Sequence, residues 1–553
     1  VRPTTAVAPH DTPVLRKERG AFFTPEPVTE FLTAWALREA SDRMLEPAAG
    51  DAAFLVAAVR RLRALAPNRR TRPSVHGIEI HEPSIAVARE RVRAEGGTAH
   101  VVHNDFFAVE PTVQYDAVVG NPPYIRYQQF SGEARTRARK AALRGGVTLS
   151  GLASSWAAFT VHSAMFLSRG GRLALVLPAE LLSVNYAAPV RRFIFDSFRE
   201  VRLVLFHEQV FPDAEADVVL LLADGYLDGP AGHATIHQAR NADALRDLGD
   251  GLAWQPDDPA SKWTGSLVNP NANLVLHEAL TSQAFTHLEQ WGDTTLGIVT
   301  GNNKFFTLSP QRAREIGIRQ NELLRLSPPG SSHLRGLVFD RARWQRLGRQ
   351  GEATYLFYPA ETPSTAALAY IADGHRTGVD TAYKCRIRKT WYRVPLVPPA
   401  DLLLTCMNAD TPRLTENAAG ALHLNSVHGV YLGAEQRELG RELLPLASLN
   451  SVTLLHAELV GRSYGGGILK LEPREADRWT LPAPAHVAAR AAQLLAIKAD
   501  VAELLQRGAL MQAVELVDEV ILRGVLTAQQ IVTVRGARQQ VAHRRTVRGA
   551  SGR

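Results

Sequence analysis

Apolar and polar positions over the first 225 residues follow two alternating periods. Residues 26–40 set Val28, Phe31, Leu32 and Trp35 at helical spacing, and residues 53–64 and 83–94 also read as helices. Between them fall short strand-like runs at residues 44–46, 74–80, 99–102 and 116–119. Strands alternating with helices of this length predict right-handed βαβ units and a parallel sheet, an α/β fold of the Rossmann-like kind. The pattern continues with Trp156, Phe159, Ser163, Phe166 and Leu167 on one helical face and a buried strand over residues 171–177. A helical stretch over 179–198, interrupted near Pro189, precedes two further strands at 201–206 and 218–222.

Beyond residue 230 the texture changes. Residues 231–295 read as a connecting region, and residues 296–485 as a second domain of short strands, Gly/Asn turns and segments rich in Arg and aromatics. Residues 486–530 are helical in pattern, and residues 531–553 form a basic tail. From Arg535 onward that tail carries six arginines and no acid, a composition that predicts disorder. At 553 residues the chain is too long for one core. It has no apolar run long enough to span a membrane, and residues 1–13 lack an apolar signal core, so a cytoplasmic protein is expected. The two cysteines, Cys385 and Cys406, lack metal-ligand spacing, so no metal is expected. A net charge of +8 favours a polyanionic partner.

The loop after residues 115–120 reads Asn121-Pro122-Pro123-Tyr124, at the predicted carboxyl end of a strand, where open α/β sheets bind ligands. It suits methyl transfer to an amino group conjugated to an aromatic ring, a poor nucleophile because its lone pair is delocalised. The Asn121 side-chain oxygen and the Pro122 carbonyl offer two acceptors for the NH2 hydrogens and favour a pyramidal, nucleophilic nitrogen. The prolines stiffen the loop, and Tyr124 offers a face to a flipped base. In isolation the same four residues also read as a rigid turn capping a strand.

Four segments precede this loop. Gly20-Ala21-Phe22-Phe23-Thr24-Pro25 leads into the first helix. Glu46-Pro47-Ala48-Ala49-Gly50-Asp51 is a small-residue turn that exposes backbone amides at a helix N-terminus. Glu79 and Ile80 end the second strand, where an acid can bond ribose hydroxyls, and Asp105-Phe106 follow the third, offering an acceptor and a ring to an adenine. In this order the segments predict a site for S-adenosylmethionine.

With Asn-Pro-Pro-Tyr behind them, these segments make the chain resemble the amino-group DNA methyltransferases of restriction–modification systems. More narrowly it resembles the gamma-class, Taq-like adenine-N6 enzymes, which order cofactor motifs, NPPY and target-recognition domain in that sequence. The likeness covers residues 17–225 motif by motif and 296–480 in texture. It implies an extension over residues 1–16, then a seven-stranded class I methyltransferase domain over 17–230. A mixed α+β target-recognition domain and C-terminal helices follow. It carries Thr24, Glu46, Ala48, Gly50, Glu79, Ile80, Asp105 and Phe106 to the cofactor site and Asn121, Pro122 and Tyr124 to catalysis. Phe211, in Val210-Phe211-Pro212, would sandwich the flipped base opposite Tyr124; without the resemblance it reads equally as a core residue. Three positions depart from the family pattern: Ala52 replaces a glycine, Glu46 an aspartate, and His81 stands where many relatives carry Asp.

The resemblance also implies double-stranded DNA as partner and direct transfer from the sulfonium. No cysteine near NPPY supplies the nucleophile of carbon-5 cytosine chemistry. The stretch before the first cofactor motif is too short for a nuclease, and Pro212-Asp213-Ala214-Glu215 lacks the lysine of a nuclease motif, so a cognate restriction endonuclease is expected on a separate chain. Arg126, Arg135, Arg137, Arg139, Lys140 and Arg144 follow NPPY and read as phosphate contacts beside a base-flipping pocket, or as a solvated helix face. Lys384, Arg386, Arg388 and Lys389, interleaved with Tyr383, Trp391 and Tyr392, read as a DNA-contacting segment or an outer-sheet ribbon; Asn302, Asn303 and Lys304 are a comparable turn. Cytosine-N4 methylation needs the same two acceptors, although Asn rather than Ser at 121 tilts toward adenine. Glutamine and ribosomal-RNA guanine methyltransferases share NPPY-like loops but generally lack a large basic C-terminal domain. A non-catalytic DNA-binding protein on this scaffold is the remaining alternative, opposed by the intact NPPY and acids.

Overall fold

The alternating runs form α1 (Glu26–Ala36), β1 (Met44–Glu46), α2 (Ala53–Leu65), β2 (Ser74–Glu79), α3 (Glu82–Ala94), β3 (Thr98–His103) and β4 (Tyr115–Gly120). Then come α4 (Gly132–Arg144), α5 (Ser155–Ala164), β5 (Leu167–Pro178), α6 (Ala188–Ser197), β6 (Phe198–Phe206) and β7 (Val218–Tyr226). The computed structural model describes residues 24–67, 72–211, 217–256, 258–464 and 467–550. The 1–16 extension, Gly20-Ala21-Phe22-Phe23 and Pro212-Asp213-Ala214-Glu215 lie outside the described residues. The break expected at Pro189 comes earlier, at Val184; Pro189 sits in the first turn of α6, where a missing N–H costs nothing.

The sheet has nine strands rather than the seven expected, in the order β3-β2-β1-β4-β5-β7-β6-β8-β9. Strands β1 to β5 run parallel, and β7 is antiparallel to both neighbours. The two extra strands, β8 (Ala234–Ala239) and β9 (Leu252–Trp254), come from the stretch expected to be a connector. Buried Ala234 and Ile236 alternate along β8, so it extends the hydrophobic face of β6. The same alternation separates two cores. Leu173, Leu175 and Leu177 of β5 face Trp156 and Phe195 on one side, and Ala174 and Val176 join Leu32 and Phe54 on the other.

The chain divides into two compact units, with the second spanning residues 271–546. The expected 231–295 connector is therefore shared between them. Residues up to 270 complete the first unit, and the helix Pro270–Thr281 leads into the second. That second unit contains a four-stranded sheet (Gly292–Leu296, Val427–Leu432, Leu402–Thr405, Leu414–Glu416, in spatial order) and two three-stranded sheets. Helices Pro484–Ala489, Ala491–Gln506 and Leu510–Ile521 follow. Over its described residues the arginine-rich end, expected to be disordered, is helical: a helix runs over Ala528–Ala550. Charge alone predicts a solvated tail, but two of its arginines meet acids earlier in the chain. Arg545 pairs with Glu458 at 2.9 Å, both buried, and Arg535 with Asp518 at 2.7 Å. Among the described residues no single helix is long and apolar enough to cross a membrane.

Candidate active site

The sheet order reverses between β1 and β4, and the loops leaving β1, β2, β3 and β4 lie at neighbouring carboxyl ends of parallel strands. Glu46, Glu79, Asp105 and Asn121 each close or follow one of these strands. The sheet thus brings together residues 75 positions apart in the chain.

The turn after β1 is bound to the end of β2. The Gly50 amide donates to Glu79 Oε2 at 2.6 Å and the His81 amide to Oε1 at 2.7 Å. His81 therefore serves Glu79 through its backbone while its ring lies 2.8 Å from Ser84 Oγ. The departure from Asp at 81 leaves this arrangement intact. Gly77 explains why β2 can approach so closely, because a Cβ there would stand 3.0 Å from that of Ala49. Gly50 has φ +48° with nothing within 4 Å of an added Cβ, so the turn has an open floor beside part-buried Ala48. Ala52, at φ 67°, holds a left-handed conformation as the residue before α2, which costs an L-residue about 1 kcal/mol and explains the glycine of the family pattern.

Glu46 is 2% exposed and its Oε2 has no hydrogen-bond partner among the described residues. Burial, with Asp51 and Glu79 adding repulsion, pushes its carboxyl well above the usual range. A buried carboxylate oxygen left bare beside an open backbone turn suits a cationic ligand. Ile80, 64% exposed at the end of β2, offers an apolar surface that folding leaves uncovered. These residues fit the ammonium, ribose and base of S-adenosylmethionine. Asp105 caps the following turn, accepting from the Phe107 amide at 3.0 Å, and its Oδ2 accepts from Arg137 Nε at 2.9 Å. Phe106 departs from expectation: it is 3% exposed, packed between Phe159 and Phe166 with centroids 5.1 and 5.3 Å away. An aromatic following a strand satisfies the core as readily as a ligand, and here the core has taken it.

Asn121 is oriented from both ends. Its Nδ2 donates to Thr24 Oγ1 at 3.2 Å, and the Tyr124 hydroxyl lies 2.9 Å from its Oδ1 and 3.0 Å from the Val176 carbonyl. Burial pushes the Tyr124 phenol well up, so it stays protonated and a donor. Among the described residues nothing donates to the Pro122 carbonyl. The loop is pinned by Ser155, the first residue of α5: its Oγ accepts from the Ile125 amide at 2.8 Å and donates to the Pro123 carbonyl. Sequence reasoning missed Ser155; a serine opening a helix signals a cap, not a tie to a loop 30 residues back. Phe211 is 4% exposed within the core that contains Val210 and Phe206, which favours its reading as a core residue over a base-stacking one.

Several arginines expected at DNA are engaged elsewhere. Arg135 donates to the Phe130 and Tyr127 carbonyls, Arg139 to the Leu149 carbonyl at 3.1 Å, Arg137 to Asp105 and Glu133, and Arg144 to Glu110. They brace α4 and its flanking loops; Arg126 and Lys140 remain exposed without side-chain partners among the described residues.

In the second unit a cleft of about 810 Å³ is lined by Lys384, Arg388, Lys389 and Arg393 with one acid, Glu361. The segment is a helical turn, Tyr383–Arg386, rather than a ribbon. Arg388 is a brace, donating to the Val299 carbonyl at 2.6 Å and the Trp391 carbonyl at 3.3 Å, with its guanidinium over Phe306. Lys384, Arg386 and Lys389 are exposed. Asn302 caps the short helix Asn303–Phe306 and Asn303 accepts from Thr300, leaving Lys304 exposed.

Two family models match the chain in sequence: N-6 DNA Methylase over residues 10–226 and the C-terminal domain of Type II methyltransferase M.Eco57I over 260–522. The Type II methyltransferase M.AccI of Acinetobacter calcoaceticus is 23% identical over 84% of this chain and 85% of its own length. M.XamI of Xanthomonas campestris pv. amaranthicola is 24% identical over the same shares. Among solved structures, the Type IIL restriction-modification enzyme MmeI in complex with DNA aligns at TM-score 0.57 and 12% identity, covering 93% of this chain and 75% of that one, a likeness of fold. The first match takes in the turn after β1 and NPPY and the second lies almost wholly in the second unit, and together with the Type II relatives they support a gamma-type N-6 adenine DNA methyltransferase of a restriction–modification system.

Proposed function

We propose that the NPPY loop directs methylation of N6 on an adenine extruded from double-stranded DNA, with S-adenosylmethionine held at the carboxyl ends of β1 to β3. The observation that carries this reading is the orientation of Asn121. Thr24 fixes its amide nitrogen and Tyr124 takes one lone pair of Oδ1, while the Pro122 carbonyl has no donor among the described residues. An amide oxygen has two lone pairs, so Oδ1 retains one for the adenine NH2 and Pro122 accepts the second hydrogen. Both acceptors are neutral and weakly basic. They shape the nitrogen toward a nucleophile without deprotonating it, and its proton leaves after the new N–C bond forms.

Bound S-adenosylmethionine supplies an electrophilic methyl group. Glu46 would hold its ammonium, Glu79 its ribose hydroxyls, Asp105 its adenine amino group and Ile80 the face of that ring, beside the open turn at Ala48 and Gly50. Tyr124 offers the flipped base its stacking surface. Phe211 would have to leave its core seat to meet a base, so it is given no stacking role. Exposed Arg126 and Lys140 beside the loop suit phosphates, as do Lys304, Lys384, Arg386 and Lys389 in the second unit. A cognate endonuclease on a separate chain completes the reading.

Asn121→Ala is expected to lower kcat by about 10²–10³-fold, the usual cost of one oriented polar group at a reacting centre. Calorimetric titration should find cofactor and DNA affinity within about twofold of the parent. Mass spectrometry of nucleosides from DNA treated with the parent enzyme should show N6-methyladenine. N4-methylcytosine instead would overturn the assignment of the base, and loss of DNA binding by the variant would overturn the role of Asn121.

A further inference from the structure

The basic cleft of the second unit contains one carboxylate that no cation pairs with among the described residues. Glu361 follows the strand Tyr355–Phe357, is exposed, and lines the cleft together with Lys384, Lys389 and Thr390. It takes part in no hydrogen bond or ion pair among the described residues. The two arginines of the cleft are committed to backbone carbonyls, Arg388 to Val299 and Trp391, Arg393 to Pro359 at 2.9 Å. The lysine ammoniums carry no such bond.

A bare carboxylate facing a polyphosphate weakens binding unless donors meet it. The major groove presents donors only at the exocyclic amines of cytosine and adenine. Adenine sets its N7 acceptor beside N6, where it opposes the second carboxylate oxygen. Cytosine sets a C–H beside N4, which does not. The guanine opposite that cytosine offers O6 and N7, both acceptors, which suit ammonium donors.

We infer that Glu361 is a specificity-determining residue that accepts from N4 of a cytosine in the recognition sequence, with the cleft's lysines donating to the paired guanine. This rests on the proposed function, which makes DNA the substrate and the second unit its reader. Glutamine in place of Glu361 keeps the size of the side chain but adds a donor, which converts it to the pattern that adenine accepts.

The test is sequencing that reports N6-methyladenine in genomic DNA from a methylation-deficient host expressing the full chain, Glu361→Gln or Glu361→Ala. The parent motif should contain an invariant C·G pair. Glu361→Ala should relax that one position, with discrimination falling on the order of 10- to 100-fold. Glu361→Gln should move it toward A·T, with all other positions kept. A parent motif without an invariant C·G pair overturns the inference. So does an unchanged motif in both variants, or a uniform loss of methylation across sites with an unchanged melting temperature. Absence of N6-methyladenine with the parent chain would instead defeat the proposed function itself.

Discussion

Ser155 holds the NPPY loop from beneath, its hydroxyl joining the Ile125 amide to the Pro123 carbonyl and its own amide donating back to the Ile125 carbonyl at 3.1 Å. Fully buried, it cannot be replaced there by water. Ser155→Ala would leave a buried donor and acceptor unpaired, a cost of about 1–3 kcal/mol in stability. Because the Pro122 carbonyl lies one peptide away, we expect kcat to fall on the order of 10- to 100-fold while KM for DNA and cofactor affinity hold. A melting temperature that drops with kcat unchanged would reduce Ser155 to scaffolding. Asn121, Gly50 and Glu79 were legible in the sequence because strand–turn–helix geometry demands those residue types at those places. Ser155 was not, since a tie across 30 residues leaves no local spacing to read. Phe211 reads in the sequence equally as a core or a stacking residue and Phe106 as a ring for an adenine; both lie in the core, because an apolar ring beside a strand satisfies a core as readily as a ligand.

At the scale of elements, the helix Ala528–Ala550 shows how charge patterning misleads when its partners lie far along the chain. Arg545 donates to both oxygens of Glu458 at 2.9 and 3.0 Å and to the Ala409, Asp410 and Gly467 carbonyls, locking the helix against three earlier segments. Glu458 is 6% exposed overall. Removing its partner strands a buried carboxylate, so Arg545→Met is expected to cost about 3–5 kcal/mol. Adding Glu458→Met should recover much of that loss, since two apolar side chains replace an ion pair that spends most of its Coulomb gain on desolvation. Urea unfolding of the two single variants and the double variant measures this, and additive losses would show that the pair is not the lock. The arginines of α4 teach the same lesson. Their run looked like a phosphate-binding face, yet four of them satisfy carbonyls and acids within the first unit. The βαβ order itself was readable because β4, β5, β6 and β7 bury apolar runs between segments of helical period, whereas β8 and β9 at the sheet's edge were too weakly patterned to separate from a connector.

For the molecule as a whole, acid should act first through buried imidazoles of the second unit. Burial, with Arg343 adding repulsion, pushes His333 down to about 4, and burial with neighbouring His428 pushes His423 down to about 4. Both rings are closely confined. Ser327 Oγ stands 2.7 Å from His333 Nε2, and a Cβ at Gly429 would stand 2.6 Å from the His423 ring. The folded chain keeps both neutral while the unfolded chain protonates them below the ordinary 6.5. Their contribution is therefore fully present above pH 6.5 and is lost as pH falls through about 4. A depression of that size corresponds to about 3 kcal/mol for each histidine. Glu46 has the opposite sign: its raised carboxyl contributes stability below its ordinary 4.5 and loses it as pH rises. Mild acid therefore weakens the second unit through its histidines while relieving the buried charge at Glu46. Urea unfolding of the parent and of His333→Gln/His423→Gln at pH 7, 5.5 and 4.5 should show a shallower pH dependence in the double variant. That holds even though its stability at pH 7 is lower, because glutamine cannot take up the proton; parallel pH profiles would move the origin of acid sensitivity away from these two rings.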